Sequence, residues 1–199
     1  MKTWTQVDAA EFVALDLHAH ALLEDVPLHD VWRVSLPGGG PERTLADVRS
    51  LLHFDELSDI NPVVRGLFAL RTGLGRVFGA GDGEPIEPED SFLGRVPSEL
   101  LASSTIAPGT PEGPFRVLYA LADEGLSEIR NATVHAFSAL ALCPEPDGYR
   151  LYWAIYVAPV GAITRFYMAL IDPFRRFLVY PAILRHVRRR WIETHPTTA

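Results

Sequence analysis

The last third of the chain, residues 150–191, constrains the fold more than any other segment. Its first nine residues, from Arg150 to Ala158, alternate in the manner of a strand, and a proline and a glycine then end this run. A long helical pattern follows, in which large apolar residues recur from Phe166 to Leu184. We therefore expect an α+β fold in which a sheet closes onto one long C-terminal helix, an architecture that holds small apolar molecules.

Length and composition predict a single domain over residues 1–199. The chain is 48% hydrophobic, which supplies enough apolar side chains for one sizeable core. The single cysteine, Cys143, excludes an internal disulfide, and the first eight residues lack the basic-then-apolar order of a secretory signal, so we expect a cytoplasmic protein. Within the domain, residues 1–19 are a candidate for a loosely ordered segment and residues 80–114 for a long loop.

Charge is distributed unevenly along the chain. Residues 1–159 contain 11 basic and 23 acidic side chains, a net charge of −12, whereas residues 160–199 contain 7 and 2, a net charge of +5. The acidic body predicts that the protein does not bind nucleic acid. The basic run from Arg185 to Arg190 is interpreted as the solvated end of a helix, with contact to an anionic surface as the alternative. Charged residues and two prolines interrupt the apolar C-terminal run, which predicts no transmembrane segment.

Local signals predict the remaining elements. A strand at 31–36 precedes two shorter helices, the first introduced by a capping box of Thr44 and Asp47 and the second by Asn61-Pro62. After the long loop, alternating segments joined by short turns predict an antiparallel meander of strands at 115–121, 126–130, 133–142 and 150–158. The expected order is one strand, two helices, a meander and a long final helix.

One histidine pair has the spacing of a metal site. His18 and His20 stand two residues apart, and on a strand such side chains share a face and can bind one ion. The segment looks like the opening motif of metal-dependent amidohydrolases, but none of the other histidines falls in a matching ligand pattern. We interpret the pair as ordinary polar residues and predict neither a metal nor another cofactor.

A second candidate site lies at the start of a predicted core strand. His135 is a candidate general acid or base, and Asn131, just before it, can both donate and accept hydrogen bonds. The alternative is a turn asparagine and a histidine whose hydrogen bonds are satisfied by backbone groups.

Aromatic residues near the C-terminus are candidates for the walls of a ligand pocket. Strand alternation sends Trp153 to one face of its strand and Tyr156 to the other, so only one of them can line a given interior. If the sheet curves around the helix, such walls form a pocket together with Tyr167 and the polar anchor Arg165. Plain core packing is the alternative.

Several motifs from about His20 to Trp191 follow a shared pattern: Asp30-Val-Trp32, Leu36-Pro-Gly-Gly39, Asn131-Ala-Thr-Val-His135, Tyr167-Met-Ala-Leu-Ile171, Pro173-Phe-Arg-Arg176 and Val179-Tyr-Pro-Ala182. In these motifs the chain resembles an uncharacterised bacterial family, a domain of unknown function placed in the START-like, or SRPBCC, superfamily. The resemblance implies a helix-grip fold, in which a curved antiparallel sheet wraps a long C-terminal helix and leaves a cavity between them. Members of the wider superfamily bind lipids, sterols or polyketides, and some cyclise or hydrolyse them. His20, Asn131 and His135 match positions that look typical of the family.

Three hypotheses for function follow. The first is that a small hydrophobic or amphipathic ligand, lipid-like or polyketide-like, binds between the sheet and the C-terminal helix. Its candidate binding residues are Trp153, Tyr156, Arg165, Tyr167, Asn131 and His20. The second is a small cyclase, isomerase or hydrolase in which His135, as acid or base, faces this cavity. The third is an accessory domain that docks on a partner protein, for which Phe174, Phe177 and Tyr180 should form an exposed patch. A homo-oligomer is compatible with all three.

Overall fold

The computed structural model describes residues 4–51, 89–131, 134–160 and 162–195. Within these ranges the fold is α+β, with a curved seven-stranded antiparallel sheet and a C-terminal helix, as predicted. The second helix expected after the strand at 31–36 lies outside the described residues, as does the first part of the long loop, residues 80–88. None of the helices in the described ranges is long and apolar enough to cross a membrane.

The N-terminal part of the chain forms two strands and three short helices. In chain order these are β1 (Trp4–Gln6), α1 (Ala9–Val13), α2 (His18–Leu22), β2 (Leu28–Pro37) and α3 (Leu45–Arg49). The capping box predicted for α3 is present, since the Asp47 carboxylate accepts the backbone N–H of Thr44 at 2.8 Å. Residues 4–19 differ from the expected loose segment, because β1 pairs with β2 and α1 buries Phe12 completely.

The rest of the described chain supplies the meander and the final helix. In chain order it contains a 3₁₀ turn (Phe92–Arg95), α4 (Ser98–Ala102), β3 (Pro111–Glu112), β4 (Phe115–Ala120), β5 (Glu124–Arg130), β6 (His135–Glu145), β7 (Gly148–Ala158), α5 (Ala162–Phe174), a π-helical turn (Arg175–Val179) and α6 (Tyr180–Thr194). The described part of the predicted long loop thus contains two short helical turns and an edge strand. The strand order is β1-β2-β7-β6-β5-β4-β3, so β2 joins the meander through its last strand.

Both faces of the sheet are buried, and each carries its own core. The helix-facing core packs α3, α5 and α6 against one face, and its largest members are Trp32, Tyr149, Trp153, Tyr180 and Trp191. The opposite core packs α1, α2 and α4 against the other face, and its largest members are Phe12, Tyr119, Phe137, Tyr152 and Tyr156. Because successive side chains of a strand point to opposite faces, the core that a residue joins follows from its parity along the strand.

The C-terminal helix changes its winding near the middle. Pro173 stands inside α5, and the π-helical turn begins two residues later at Arg175. Proline has no N–H to donate and its ring crowds the preceding turn, so the α-helical hydrogen-bond pattern is disturbed here. Regular helix resumes at Tyr180, with Pro181 tolerated in the first turn. The helix therefore consists of two α-helical segments joined by a turn of different pitch.

Candidate functional site

Three aromatic side chains meet between the sheet and the C-terminal helix. Trp32 of β2 and Trp153 of β7 are directly opposite each other in the antiparallel ladder. The ring of Tyr180, at the start of α6, lies with its centroid 5.2 Å from that of Trp32 and 5.1 Å from that of Trp153. We call Trp32, Trp153 and Tyr180 the aromatic triad. It forms an apolar surface on the helix-facing side of the sheet.

The two indoles of the triad differ in hydrogen bonding. Trp153 donates its Nε1–H to Ser138 Oγ at 2.9 Å. Trp32 is 5% exposed, and its Nε1–H has no acceptor among the described residues. A buried indole N–H usually finds a partner, because leaving it without one costs about 1–3 kcal/mol. The indole N–H of Trp32 is thus an unsatisfied hydrogen-bond donor within an aromatic surface.

A polar cluster stands beside the triad, at the π-helical turn. We define it as His29, Asp30, Asp172 and Arg175. A bulge in β2 interrupts the register between Leu28 and Asp30, so His29 has no paired residue opposite it on β7. Bulges re-aim side chains, and this one brings the histidine and the aspartate that follows it toward the helix.

Distances within the polar cluster are short. His29 Nε2 lies 2.8 Å from Asp172 Oδ2 and 3.9 Å from Asp30 Oδ2. Arg175 donates from one terminal nitrogen to Asp172 Oδ1 at 3.1 Å and from the other to the hydroxyl of Tyr180. Asp172 therefore has two cationic or donor partners, and Tyr180 joins the cluster to the triad.

Asp30 is the exception in the polar cluster. Its side chain is fully buried, and neither carboxyl oxygen has a hydrogen-bond partner among the described residues. The nearest charge of opposite sign is Arg175, whose terminal nitrogen lies 3.8 Å from Asp30 Oδ2, beyond hydrogen-bonding distance. Burial raises the pKa of the Asp30 carboxyl, and the neighbouring Arg175 and His29 oppose this shift.

A narrow cleft lies on the other side of Trp153, between the sheet and α6. It is lined by Glu112, Phe115, Ser138, Leu140, Leu151, Trp153, Ile183, Leu184 and Val187. Its volume is about 20 Å³. That space holds about one water molecule, so a larger ligand needs the helix to move away from the sheet.

Two of the predicted ligand-binding residues lie on the opposite face from Trp153. Tyr156 belongs to the opposite core, and its hydroxyl lies 3.2 Å from Nδ1 of His20. Burial, and then the carboxylate of Glu124, raise the pKa of Tyr156 to about 12. Trp153 and Tyr156 thus lie on opposite faces of the sheet, as strand alternation predicted, so Trp153 does not line one pocket with Tyr156 and His20.

His135 also belongs to the opposite face. It is 2% exposed, and its Nε2 lies 2.9 Å from Glu128 Oε2 while its Nδ1 lies 3.5 Å from a terminal nitrogen of Arg130. The rings of Phe92 and Phe137 pack against it, Phe92 edge-on and Phe137 tilted, with centroids 5.1 Å and 4.5 Å away. Both ring nitrogens have partners within the protein, and the ring faces away from the C-terminal helix. The geometry required of His135 as an acid or base in the sheet–helix cavity is not present.

The remaining predicted residues occupy different environments. Asn131 forms a turn, in which its Oδ1 accepts the backbone N–H of Val134 at 3.0 Å. Arg165 and Tyr167 belong to α5, but their side chains lie outside the described part of the structure. Those residues of the ligand site proposed from sequence whose side chains are described are therefore not brought together.

The two histidines with metal-like spacing have different partners. His18 Nδ1 lies 3.0 Å from Glu124 Oε2, whereas His20 contacts Tyr156. Glu124 is itself buried and accepts the backbone N–H of Ala19 at 2.8 Å. His18 and His20 sit in the first turn of α2 rather than on a strand, so the alternation that would have given them a common face does not apply.

The exposed patch expected for docking is only partly formed. Phe177 is 77% exposed and Phe174 is 38% exposed, but Tyr180 is buried in the aromatic triad. The two phenylalanines remain as apolar residues on the outer side of the helix.

Sequence reasoning missed the polar cluster and the role of Trp32. The signal was present, since Asp30-Val-Trp32 and Pro173-Phe-Arg-Arg176 are two of the motifs on which the family resemblance rests. No spacing rule connects segments more than 140 residues apart, so nothing in the sequence indicated that these motifs meet.

A family model described as "Protein of unknown function (DUF2867)" matches residues 22–182. No curated protein and no solved structure matches the chain. The matched range includes every residue of the aromatic triad and of the polar cluster, and it leaves out β1 and α1.

Proposed function

We propose that this chain, which belongs to the family described as "Protein of unknown function (DUF2867)", binds a small amphipathic molecule between the sheet and the C-terminal helix. The proposal rests on the geometry of the aromatic triad. The aromatic triad contacts the apolar body of the ligand. A carbonyl or hydroxyl oxygen of the ligand accepts the N–H of Trp32. No reaction is part of this proposal.

The unmet donor of Trp32 is the observation that carries the proposal. A buried N–H without an acceptor is costly, and a ligand oxygen removes that cost when it binds. The neighbouring rings of Trp153 and Tyr180 supply aromatic surface with few polar atoms, which is typical of small-molecule sites that have a few well-placed polar groups. Together they favour a ligand that is mainly apolar and has one hydrogen-bond acceptor.

Room for the ligand requires the C-terminal helix to move. The described cleft beside Trp153 has a volume of only about 20 Å³. The π-helical turn at 175–179 joins the two α-helical segments of the helix, and such turns occur often at functional sites. In our proposal, α6 tilts about this turn and opens the space over the triad.

The START-like assignment belongs to the same proposal. The order of a strand, a helical region, an antiparallel meander and a long C-terminal helix is what the helix-grip fold requires. The helix also packs on a curved sheet through a core of aromatic and aliphatic residues. These features support a helix-grip protein whose ligand lies between sheet and helix.

Native mass spectrometry of gently purified protein, followed by solvent extraction, tests the binding function. We expect a reproducible small-molecule adduct whose extracted compound contains an oxygen acceptor. The variant Trp32→Phe keeps an aromatic ring but removes the donor, so it should bind this compound about fivefold more weakly, the equivalent of roughly 1 kcal/mol.

Tyr156→Phe is the matched control, because it removes a single hydroxyl group on the opposite face of the sheet. It should retain the adduct at the wild-type level. An adduct that is lost in Tyr156→Phe but kept in Trp32→Phe would place the ligand on the wrong face for this proposal. Apo protein in every preparation, with no binding of the extracted lipid fraction of the host, would refute it.

A further inference from the structure

His29, Asp30 and Asp172 bring three potential metal ligands to one point beside the aromatic triad. One ligand atom from each residue lies within 4.8 Å of the other two. Two of these residues are consecutive on β2, and the third comes from α5, so the group is assembled only when the helix packs on the sheet. From this geometry we propose that the three side chains bind one divalent transition-metal ion.

The donor set fits such an ion. One imidazole nitrogen and two carboxylate oxygens are ligands that Zn²⁺ and its first-row neighbours accept, at about 2.0–2.2 Å for zinc. His29 Nε2 already lies 2.8 Å from Asp172 Oδ2 and 3.9 Å from Asp30 Oδ2. Ligands around one ion stand about 3 Å apart at these bond lengths, so small side-chain rotations complete the site. The ion then takes the place of the hydrogen bond between His29 and Asp172.

Asp30 supplies a second, independent observation. Its carboxyl group is fully buried, and neither oxygen has a hydrogen-bond partner among the described residues. Buried carboxylates are normally hydrogen-bonded, closely paired or bound to a metal, because burial of an unpaired charge is very costly. Arg175, 3.8 Å away, is too distant to donate a hydrogen bond. A cation between Asp30 and His29 satisfies this carboxyl group directly.

Arg175 has a supporting position at the site. It donates to Asp172 Oδ1 at 3.1 Å and so holds the orientation of that carboxylate. Hydrogen bonds of this kind, from groups that do not touch the ion, orient metal ligands in many sites. Because it orients a ligand without touching the ion, Arg175 is a positioning residue. Two carboxylates and one guanidinium give the cluster a formal charge of −1 before the ion binds. A bound divalent ion changes this formal charge to +1.

The site is also accessible to an ion. The side chains of His29 and Asp172 are 24% and 20% exposed, respectively, while Asp30 lies at the closed end of the cluster. Three protein ligands leave at least one coordination position for another group. This inference goes beyond the proposed binding function and does not depend on it, since the ion needs no organic ligand.

Titration of chelator-treated, full-length protein with Co²⁺ tests the proposal. Co²⁺ is a spectroscopic substitute for Zn²⁺, and one bound equivalent should produce visible d–d absorption and raise the melting temperature. His29→Gln and Asp172→Asn each remove one ligand, so both should weaken Co²⁺ binding by more than the 10- to 100-fold typical of a lost supporting hydrogen bond. Arg175→Lys should weaken it less.

The matched controls are His18→Gln and His20→Gln, which change histidines on the opposite face of the sheet. Both should bind Co²⁺ as the wild type does. Circular dichroism and a thermal melt in chelator check that each variant is folded. Folded wild-type protein that binds no equivalent of Co²⁺ or Zn²⁺ would overturn the proposal, and so would a visible band that survives in His29→Gln but disappears in His18→Gln or His20→Gln.

Discussion

Trp191 donates its indole Nε1–H to the carbonyl oxygen of Pro37 at 3.0 Å, which ties the last turns of α6 to the end of β2. The indole is completely buried, and the ring of Tyr149 packs edge-on against it at a centroid distance of 5.8 Å. This anchor lies far along the helix from the π-helical turn. It holds one end of α6 on the sheet, while the other end carries Tyr180 of the aromatic triad.

Gly39 makes room for this anchor, and we expect Gly39→Ala to destabilise the protein. Its φ is +91°, and an added Cβ would lie 2.8 Å from a ring carbon of Trp191. A clash with a packed ring costs about 1–3 kcal/mol, in addition to backbone strain at positive φ. Urea unfolding measures the loss.

Gly40→Ala is the control for that substitution. Gly40 also has a positive φ, +66°, but no atom lies within 4 Å of the added Cβ. Its loss in the free energy of unfolding should reflect the backbone strain alone, without a clash of the added Cβ. Equal losses in the two variants would mean that Trp191 does not pack against Gly39 as described.

His135→Ala should lower stability without removing a ligand held on the helix-facing side. The substitution leaves the buried Glu128 carboxylate without the donor that lies 2.9 Å from it, and breaking such a buried pair costs about 3 kcal/mol. A double-mutant cycle measures the free energies of unfolding of His135→Ala, Glu128→Gln and the double variant. It gives the coupling free energy between the two residues. A coupling near zero would contradict the pairing, and loss of an adduct by folded His135→Ala would contradict the location of the ligand.

Glu124→Gln should destabilise α2. The carboxylate accepts the backbone N–H groups of His18 and Ala19 at 3.0 and 2.8 Å, and it replaces the side-chain cap that α2 lacks. Hydrogen bonds to a charged group contribute about 1.5–3 kcal/mol each, and an amide cannot accept all of them. Hydrogen exchange at Ala19 should become faster. Glu99→Gln, at an exposed position of α4, should leave this exchange rate unchanged.

Tyrosine ionisation should be delayed in the folded protein. Burial raises the pKa values of Tyr119, Tyr152, Tyr156 and Tyr180, with Tyr156 at about 12. An unfolded tyrosine ionises near pH 10, so from there to pH 12 the folded state keeps a proton that the unfolded state loses. The contribution of these hydroxyls to the free energy of unfolding is therefore fully present below pH 10 and decreases as the pH rises above 10. Absorbance at 295 nm should therefore show that these four tyrosines ionise at higher pH in the folded protein than in the unfolded protein. A full step in folded protein at pH 10 would contradict this burial.

The sequence predicts the parts of this fold that local chemistry controls. The meander follows from alternation and turn residues, and the α3 cap follows from Thr44 and Asp47, three positions apart. Each of these signals lies within a few residues, so no knowledge of the partner segment is needed.

The missed features depend on contacts between distant segments. Helices of five residues are not stable alone, so α1 and α2 have no strong periodic signal, and their stability comes from Phe12 in the core and Glu124 across the sheet. Asp30 and Arg175 meet only because a bulge in β2 faces the π-helical turn. The partner of His135 likewise depends on the register of two strands, which the spacing of Glu128 and His135 alone does not reveal.

The two ends of the described sheet have a consequence for self-association. Its outermost strands, β1 and β3, contain three and two residues, whereas β2 behind β1 contains ten. An edge this short offers few free backbone groups to a strand from another molecule. Deletion of residues 1–7 would free the backbone groups of β2, from Val31 to Val34, that now bond to this segment. By pairing with Trp32, Arg33 and Val34, β1 thus withholds these backbone groups of β2 from a strand of another molecule.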